Sequence, residues 1–238
     1  MRSPALPYTI VATDVEKSSR RDDDLLLRMR ADLRAMLGQA LADQGVEIDA
    51  VPVLDDGDGF RLLLPADIAP RAALDPFLGR LGVELRNHRR ASSELNRLRL
   101  RVAVHHGLLT REQGGSFSGT PMQVCARLLD SQAGRDLLAG APAADFVLLV
   151  TDHFFGMVVR GGATLAPEEF RRIRVEVKET DAPAWAYLPP GGAPAPPAAG
   201  PPPTARAAAE PPAGSSIGVW LSGDGHTIGD IYGGGHGG

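Results

Sequence analysis

Two short acidic segments, TDVEKSS at residues 13–19 and LDDGDGF at 54–60, each follow a run of β-forming residues. Asp14 and Asp58 stand 44 residues apart, room for one crossover helix and a return strand. The spacing predicts that the two carboxylates meet at one end of a sheet. Paired carboxylates are hard oxygen ligands of the kind Mg2+ and Mn2+ prefer, above all when substrate phosphates complete the coordination shell. Two ions held in this way polarise an α-phosphate and activate an attacking hydroxyl, so the chemistry is that of phosphoryl groups. Asp55 and Asp56 lie beside the pair. DDGDG also has a second reading as a plain hairpin turn, where Asp and Gly are common for conformational reasons.

The elements that must position these residues follow from apolar spacing and breakers. Residues 8–12 read as a buried strand that stops at Asp14. Asp22, Asp23 and Asp24 supply acidic charge for a helix to about residue 44, with Leu26, Met29, Leu33, Met36 and Ala40 on one face and Gly45 as the stop. Residues 46–54 read as a strand, 55–59 as a tight turn and 60–64 as the partner strand of a hairpin. A second helix spans about 75–90, with Leu78, Leu81 and Leu85 at helical spacing, and 98–105 is a strand. The order βαββαβ predicts an α+β fold with a ferredoxin-like core whose helices pack on one face of the sheet. Beyond it the pattern gives a helix over 123–139, an apolar strand over 146–151 and a short helix over 152–159 capped by Thr151 or Asp152. Two strands follow within 172–187, around a turn at 179–183.

These motifs together resemble the class III nucleotidyl cyclases, the adenylate and guanylate cyclase catalytic domains. TDVEKSS is similar to the family's first metal motif and DGDGF to its second. RVAVHHG at 101–107 resembles the next strand and glycine turn, and GTPMQVCARLLDS at 119–131 the glycine-led helix that carries the family's Asn and Arg. The likeness covers about residues 8–188, in a fold with additional C-terminal helices and strands. It implies that Asp14 and Asp58, with the backbone carbonyl of Val15, bind two Mg2+ or Mn2+ ions per site. It implies that Arg127 stabilises charge on the transferring phosphate, and that Gln123 stands where an Asn orients the ribose. Leu54 and Ser116 occupy positions that read the base, and both depart from the family, as does Lys17 in place of a glycine. Ordinary purine recognition is therefore not implied. Lys178 aligns near a late phosphate-binding lysine, with a solvated strand lysine as the alternative.

The activity implied is conversion of a nucleoside triphosphate to a 3′,5′-cyclic nucleotide and pyrophosphate, in a homodimer with sites at the interface, or in a heterodimer with a complementary partner. A different class of function fits the altered base-reading positions: a non-catalytic, cyclase-like nucleotide-binding or signalling module that docks an effector through its C-terminal tail.

Composition bounds the rest. The chain has 238 residues, and its 20 prolines and 28 glycines crowd toward the last quarter. Residues 1–188 are read as the domain, 189–215 as a Pro/Ala/Gly-rich disordered linker, and 216–238 as a glycine-rich tail that folds, if at all, on a partner. A net charge of −4 gives no reason to expect nucleic acid or an anionic membrane as a main partner. The arginines at 86, 89, 90, 97, 99 and 101 read as a solvated face, since no aromatic residues interleave them. With one cysteine, Cys125, there is no internal disulfide and no multi-cysteine zinc site. No run approaches the ~18 apolar residues of a membrane span, so the expectation is a soluble cytoplasmic protein. His105 and His106 read as structural strand-end residues, and Cys125 as core.

Overall fold

The computed structural model describes residues 4–93, 96–162, 165–177 and 180–190. Strand β1, Ala5–Val15, is the axis of the site, and its alternation sets two cores apart. Val11 and Val15 point into one, with Met29, Leu33 and Leu37 of helix α1 (Asp23–Ala42) and Phe77, Leu81 and Leu85 of α2 (Phe77–Ala91). Ile10 and Ala12 point into the other, with Cys125 and Leu128 of α3 (Thr120–Asp130) and Leu138 of α4 (Gln132–Ala139). The sheet is thus covered on both faces. The one-face expectation holds for the βαββαβ core, whose two helices share a side; the added helices α3 and α4 bury the second apolar face, which would otherwise meet water.

The capping reading of α1 is realised. Asp22 accepts from the Leu25 N–H at 2.9 Å, Asp23 and Asp24 occupy the positive end of the helix dipole, and Gly45 follows at φ 71°. Eight strands among the described residues form the sheet. They are β1, β2 (Val53–Asp55), β3 (Phe60–Pro65), β4 (Leu100–Arg111), β5 (Phe117–Ser118), β6 (Phe146–Thr151), β7 (Phe170–Val177) and β8 (Thr180–Tyr187). Their order is β2-β3-β1-β4-β6-β8-β7, with β5 paired to β4 alone. Only β4 and β6 run parallel. β1 lies between β3 and β4, with Ala12 opposite both Arg61 and Ala103. No helix among the described residues is long and apolar enough to cross a membrane.

Three element expectations need correction. Over 46–54 only Val53–Asp55 is strand; Ile48–Ala50 is a 3-10 turn, because Val46, Ile48 and Val51 are spent on packing against the α1 core and Pro52 has no N–H for a ladder. The helix over 123–139 breaks at Ser131. This residue is extended (φ −63°, ψ 136°), and its hydroxyl donates to Leu128 O at 2.6 Å while accepting from Gly134 N at 3.3 Å. Finally, residues 180–183 belong to β8 rather than to a turn. Pro183 is tolerated there because it precedes the stretch Ala184–Tyr187 that pairs with β6.

Candidate active site

The acidic pair is assembled by the end of β1 and the tip of the β2–β3 hairpin. Thr13, buried between them, ties the two chains: its Oγ1 accepts from Phe60 N at 3.0 Å and donates to Phe60 O at 3.1 Å. Two residues on, Val15 N donates to Asp58 O at 3.0 Å. The approach is so close that a Cβ on Gly59 would lie 1.8 Å from Thr13 O, so only glycine fits. This stitching sets Asp14 and Asp58 side by side, as their spacing predicts.

Electrostatics mark the pair. The Asp14 side chain is only 15% exposed. Burial pushes its carboxyl up to about 7, and the charge and hydrogen bond of Asp58 add to this, against the downward pull of Arg101. Arg101 sits directly opposite Asp14 in the β1–β4 register and forms an ion pair with it. Arg135 of α4 adds a more distant positive charge. Asp58 Oδ2 accepts from Ser18 Oγ at 3.1 Å. The neighbouring loop is held by Glu16, whose carboxylate takes Arg99 Nη1 at 2.8 Å. Lys17 adopts the left-handed conformation (φ 58°, ψ 30°), a backbone state that glycine reaches without strain.

The hairpin-turn reading of DDGDG holds for two of its three aspartates. Asp55 accepts from Gly57 N at 2.9 Å and pairs with Arg30 of α1, while Asp56 is gripped by Arg61 Nε at 2.6 Å. Those two carboxylates build and brace the hairpin. Asp58 alone of the three acts on Asp14.

The remaining predicted residues lie on other elements. α3 starts hard against β4: a Cβ on Gly107 would meet Pro121 Cγ at 2.6 Å, which is the physical content of the glycine in RVAVHHG. From there Cys125 and Leu128 turn into the core, leaving Gln123 exposed and Arg127 half-buried. Leu54 is half-buried in β2 against the second core. Ser116 is exposed in the β4–β5 turn, where its carbonyl accepts from Glu112 N at 2.8 Å. No hydrogen bond or ion pair among the described residues joins Ser116 or Gln123 to the acidic pair. Lys178 lies outside the described residues. Sequence reasoning missed Arg101 and Arg135 as site residues. Arg101 was available from β pairing alone, had a register been assigned to the two strands. The solvated-face reading fails for Arg97, Arg99 and Arg101, which are 16%, 13% and 12% exposed and paired with Asp145, Glu16 and Asp14.

His105 and His106 are structural. His105 Nδ1 meets Thr151 Oγ1 at 2.9 Å and burial lowers its pKa to about 4, while His106 Nδ1 meets Thr9 Oγ1 at 3.0 Å. No group of three or more His, Cys, Asp or Glu residues that could hold a metal ion occurs among the described residues. The acidic pair still suits Mg2+ or Mn2+, which are bound through one or two carboxylates with the remaining positions left to water and substrate phosphate. The raised Asp14 carboxyl is the kind of standing charge conflict that a divalent cation relieves.

No family model matches the sequence, and a search of curated proteins finds no match. Solved structures do match. The guanylyl cyclase Cya2 superposes with a TM-score of 0.56 at 13% identity, over 79% of this chain and 93% of that one. An adenylate/guanylate cyclase/hydrolase from Silicibacter pomeroyi gives 0.56 at 17% identity, over 79% and 99%. The catalytic core of a rhodopsin-guanylyl cyclase with converted specificity, in complex with ATPαS, gives 0.53 at 14% identity, over 77% and 96%. The α+β fold of this chain, with its sheet covered on both faces, is therefore that of adenylate/guanylate cyclase catalytic domains.

Proposed function

We propose that this chain is a divergent class III nucleotidyl cyclase that forms a 3′,5′-cyclic nucleotide and pyrophosphate from a nucleoside triphosphate. The observation that carries the reading is the meeting of Asp14 and Asp58 at the end of β1, stitched by Thr13 and Gly59 on a fold shared with cyclases. Asp14, Asp58 and the carbonyl of Val15 hold Mg2+ or Mn2+, two ions per site. Bound there, such ions would neutralise triphosphate charge and acidify the 3′-hydroxyl. That oxygen forms the new bond to the α-phosphorus, the bond to the β-bridging oxygen breaks, pyrophosphate leaves with the electron pair, and the hydroxyl proton passes to water. Arg127 offsets the negative charge that develops at the α-phosphate. Gln123 hydrogen-bonds the ribose, and Leu54 and Ser116 leave base selection loose.

Arg101 has a role of its own. As the counter-charge to Asp14 it keeps the acidic pair compact, and it stands next to any polyphosphate drawn to that pair. The family resemblance supports a homodimer in which each site takes α3, with Gln123 and Arg127, from one protomer and the acidic pair from the other. We place this activity in the cytoplasm.

The test is an assay of the purified dimer with ATP, GTP, CTP and UTP in turn, each with Mn2+. Cyclic product is expected from at least one, abolished in Asp58→Ala and reduced by about 100-fold or more in Arg127→Ala, a loss in the range of removing one oxyanion-stabilising donor. Both variants should keep the wild-type circular dichroism spectrum. If no nucleotide yields product above the Asp58→Ala background, the cyclase reading is wrong.

A further inference from the structure

A cavity of about 210 Å3 opens where the first turns of α1 face the end of α2, lined among others by Arg21, Arg28, Asp32, His88, Ser92 and Asn96. Its polar wall is mostly cationic or donor. Among the described residues, two guanidiniums, an imidazole, a hydroxyl and a carboxamide face a single carboxylate, Asp32, whose Oδ2 is already 3.4 Å from His88 Nε2. Ser92 Oγ lies 3.3 Å from the same nitrogen.

Arg21 is the odd member. It is half-buried, and burial lowers its pKa. Its Nη2 donates to Arg97 O at 2.9 Å and its Nη1 to Met29 Sδ at 3.5 Å. Among the described residues, then, it meets a neutral carbonyl and a thioether but no carboxylate. A partly desolvated guanidinium with only neutral acceptors carries an electrostatic deficit that a bound anion relieves. The volume equals about seven waters at ~30 Å3 each. That holds one phosphate-sized ion with some of its water, and lies below the roughly 300–1,000 Å3 of sites for larger ligands.

We propose that this cavity binds a free, small phosphate-class oxyanion, gripped by Arg21 and Arg28 with His88 and Ser92 as further donors. The proposal does not depend on the cyclase reading. The two regions are nonetheless joined by a single turn of chain, since Arg21 N donates to Ser18 O at 3.0 Å and Ser18 Oγ donates to Asp58.

Inorganic phosphate titrated into the full chain, followed by calorimetry and by the imidazole resonances of His88, tests it. We expect saturable 1:1 binding that shifts His88 and survives chloride in excess. Arg28→Ala and Ser92→Ala should each weaken it by at least tenfold. Arg28 is exposed on α1 and the fold does not depend on it, and circular dichroism will verify both variants. Arg127→Ala, which alters the α3 helix instead, should leave the affinity unchanged. Absence of saturable binding, a titration that leaves His88 unmoved, wild-type affinity in Arg28→Ala, or loss of binding in Arg127→Ala would each overturn the proposal.

Discussion

Replacing Gly59 with alanine tests whether the hairpin stitch, rather than the mere presence of two aspartates, makes the site. The new Cβ would stand 1.8 Å from Thr13 O, roughly 1 Å inside the 3.0 Å limit that real Cβ contacts respect, and its obstacle is backbone that cannot rotate away. The hairpin tip must therefore move off β1. Doing so breaks the paired Thr13–Phe60 bonds at 3.0 and 3.1 Å and the Val15–Asp58 bond at 3.0 Å, all at a largely buried seam. At about 1 kcal/mol per bond, and more where a buried group is left unsatisfied, the cost is about 3–5 kcal/mol, a large part of the roughly 5–15 kcal/mol that holds a domain folded. Gly57→Ala is the matched control: its φ of 91° penalises a side chain, but nothing lies within 4 Å of the added carbon. Its cost is that of a left-handed residue alone, about 1–2 kcal/mol. Urea unfolding measures both variants, and Mn2+ titration by electron paramagnetic resonance should show affinity falling more than tenfold in Gly59→Ala and changing little in Gly57→Ala. Equal stabilities for the two variants, or unchanged Mn2+ affinity in Gly59→Ala, would refute the reasoning.

Four further outcomes follow from the structure. Because the Asp14 carboxyl is raised to about 7, cation binding must displace a proton, so Mn2+ affinity should fall about tenfold per pH unit below 7 and level off above it; a flat profile from pH 5.5 to 8.5 counts against the raised carboxyl. Without metal, Asp14 binds its proton more tightly folded than unfolded, so its contribution to stability is present below pH 3.8 and is lost as the pH rises toward 7. Asp14→Asn should remove that slope, worth at most about 4 kcal/mol at 1.36 kcal/mol per unit, as read by denaturation across this range. Arg99→Ala strips Glu16 of its nearer cation, leaving only Lys17 at 3.9 Å, and leaves the carbonyls of Ala141 and Ala144 without their guanidinium donor, and should cost about 3–5 kcal/mol, seen as a fall in Tm; a change under 1 kcal/mol would mean the network is idle. Cys125, fully buried with its thiol pushed up to about 12, should resist a thiol reagent in the native protein and react at the rate of unfolding.

Much of this was legible from residue order, and the exceptions share a cause. α1 was readable because its capping residues and its apolar stripe agree, and β1, β3 and β6 because short apolar runs end at clear turn signals. The 46–54 segment misled because apolar residues mark burial, and burial in a 3-10 turn looks the same in sequence as burial in a strand. The break at Ser131 was hidden because a serine within a helical pattern reads as a solvent-facing residue until its hydroxyl is seen capping α4. Within the site, the aspartates were found by type and spacing. What was not found is the use of Asp55 and Asp56 as braces of the hairpin, which depends on where Arg30 and Arg61 reach.

By itself, then, the sequence determined that two carboxylates would end adjacent β elements, that a helix would follow the fourth predicted strand, and that the apolar stripes would bury one sheet. These are local matters, set by propensity, periodicity and turn chemistry within a few residues of each position. Tertiary structure alone decided that Arg101 stands opposite Asp14, that burial lifts Asp14 to about 7, that Asp55 and Asp56 are consumed as braces, and that a cationic cavity forms between α1 and α2. Each of those depends on strand register or on desolvation by residues far away in the chain, and a charge acquires its environment only when the folded backbone brings those residues to it.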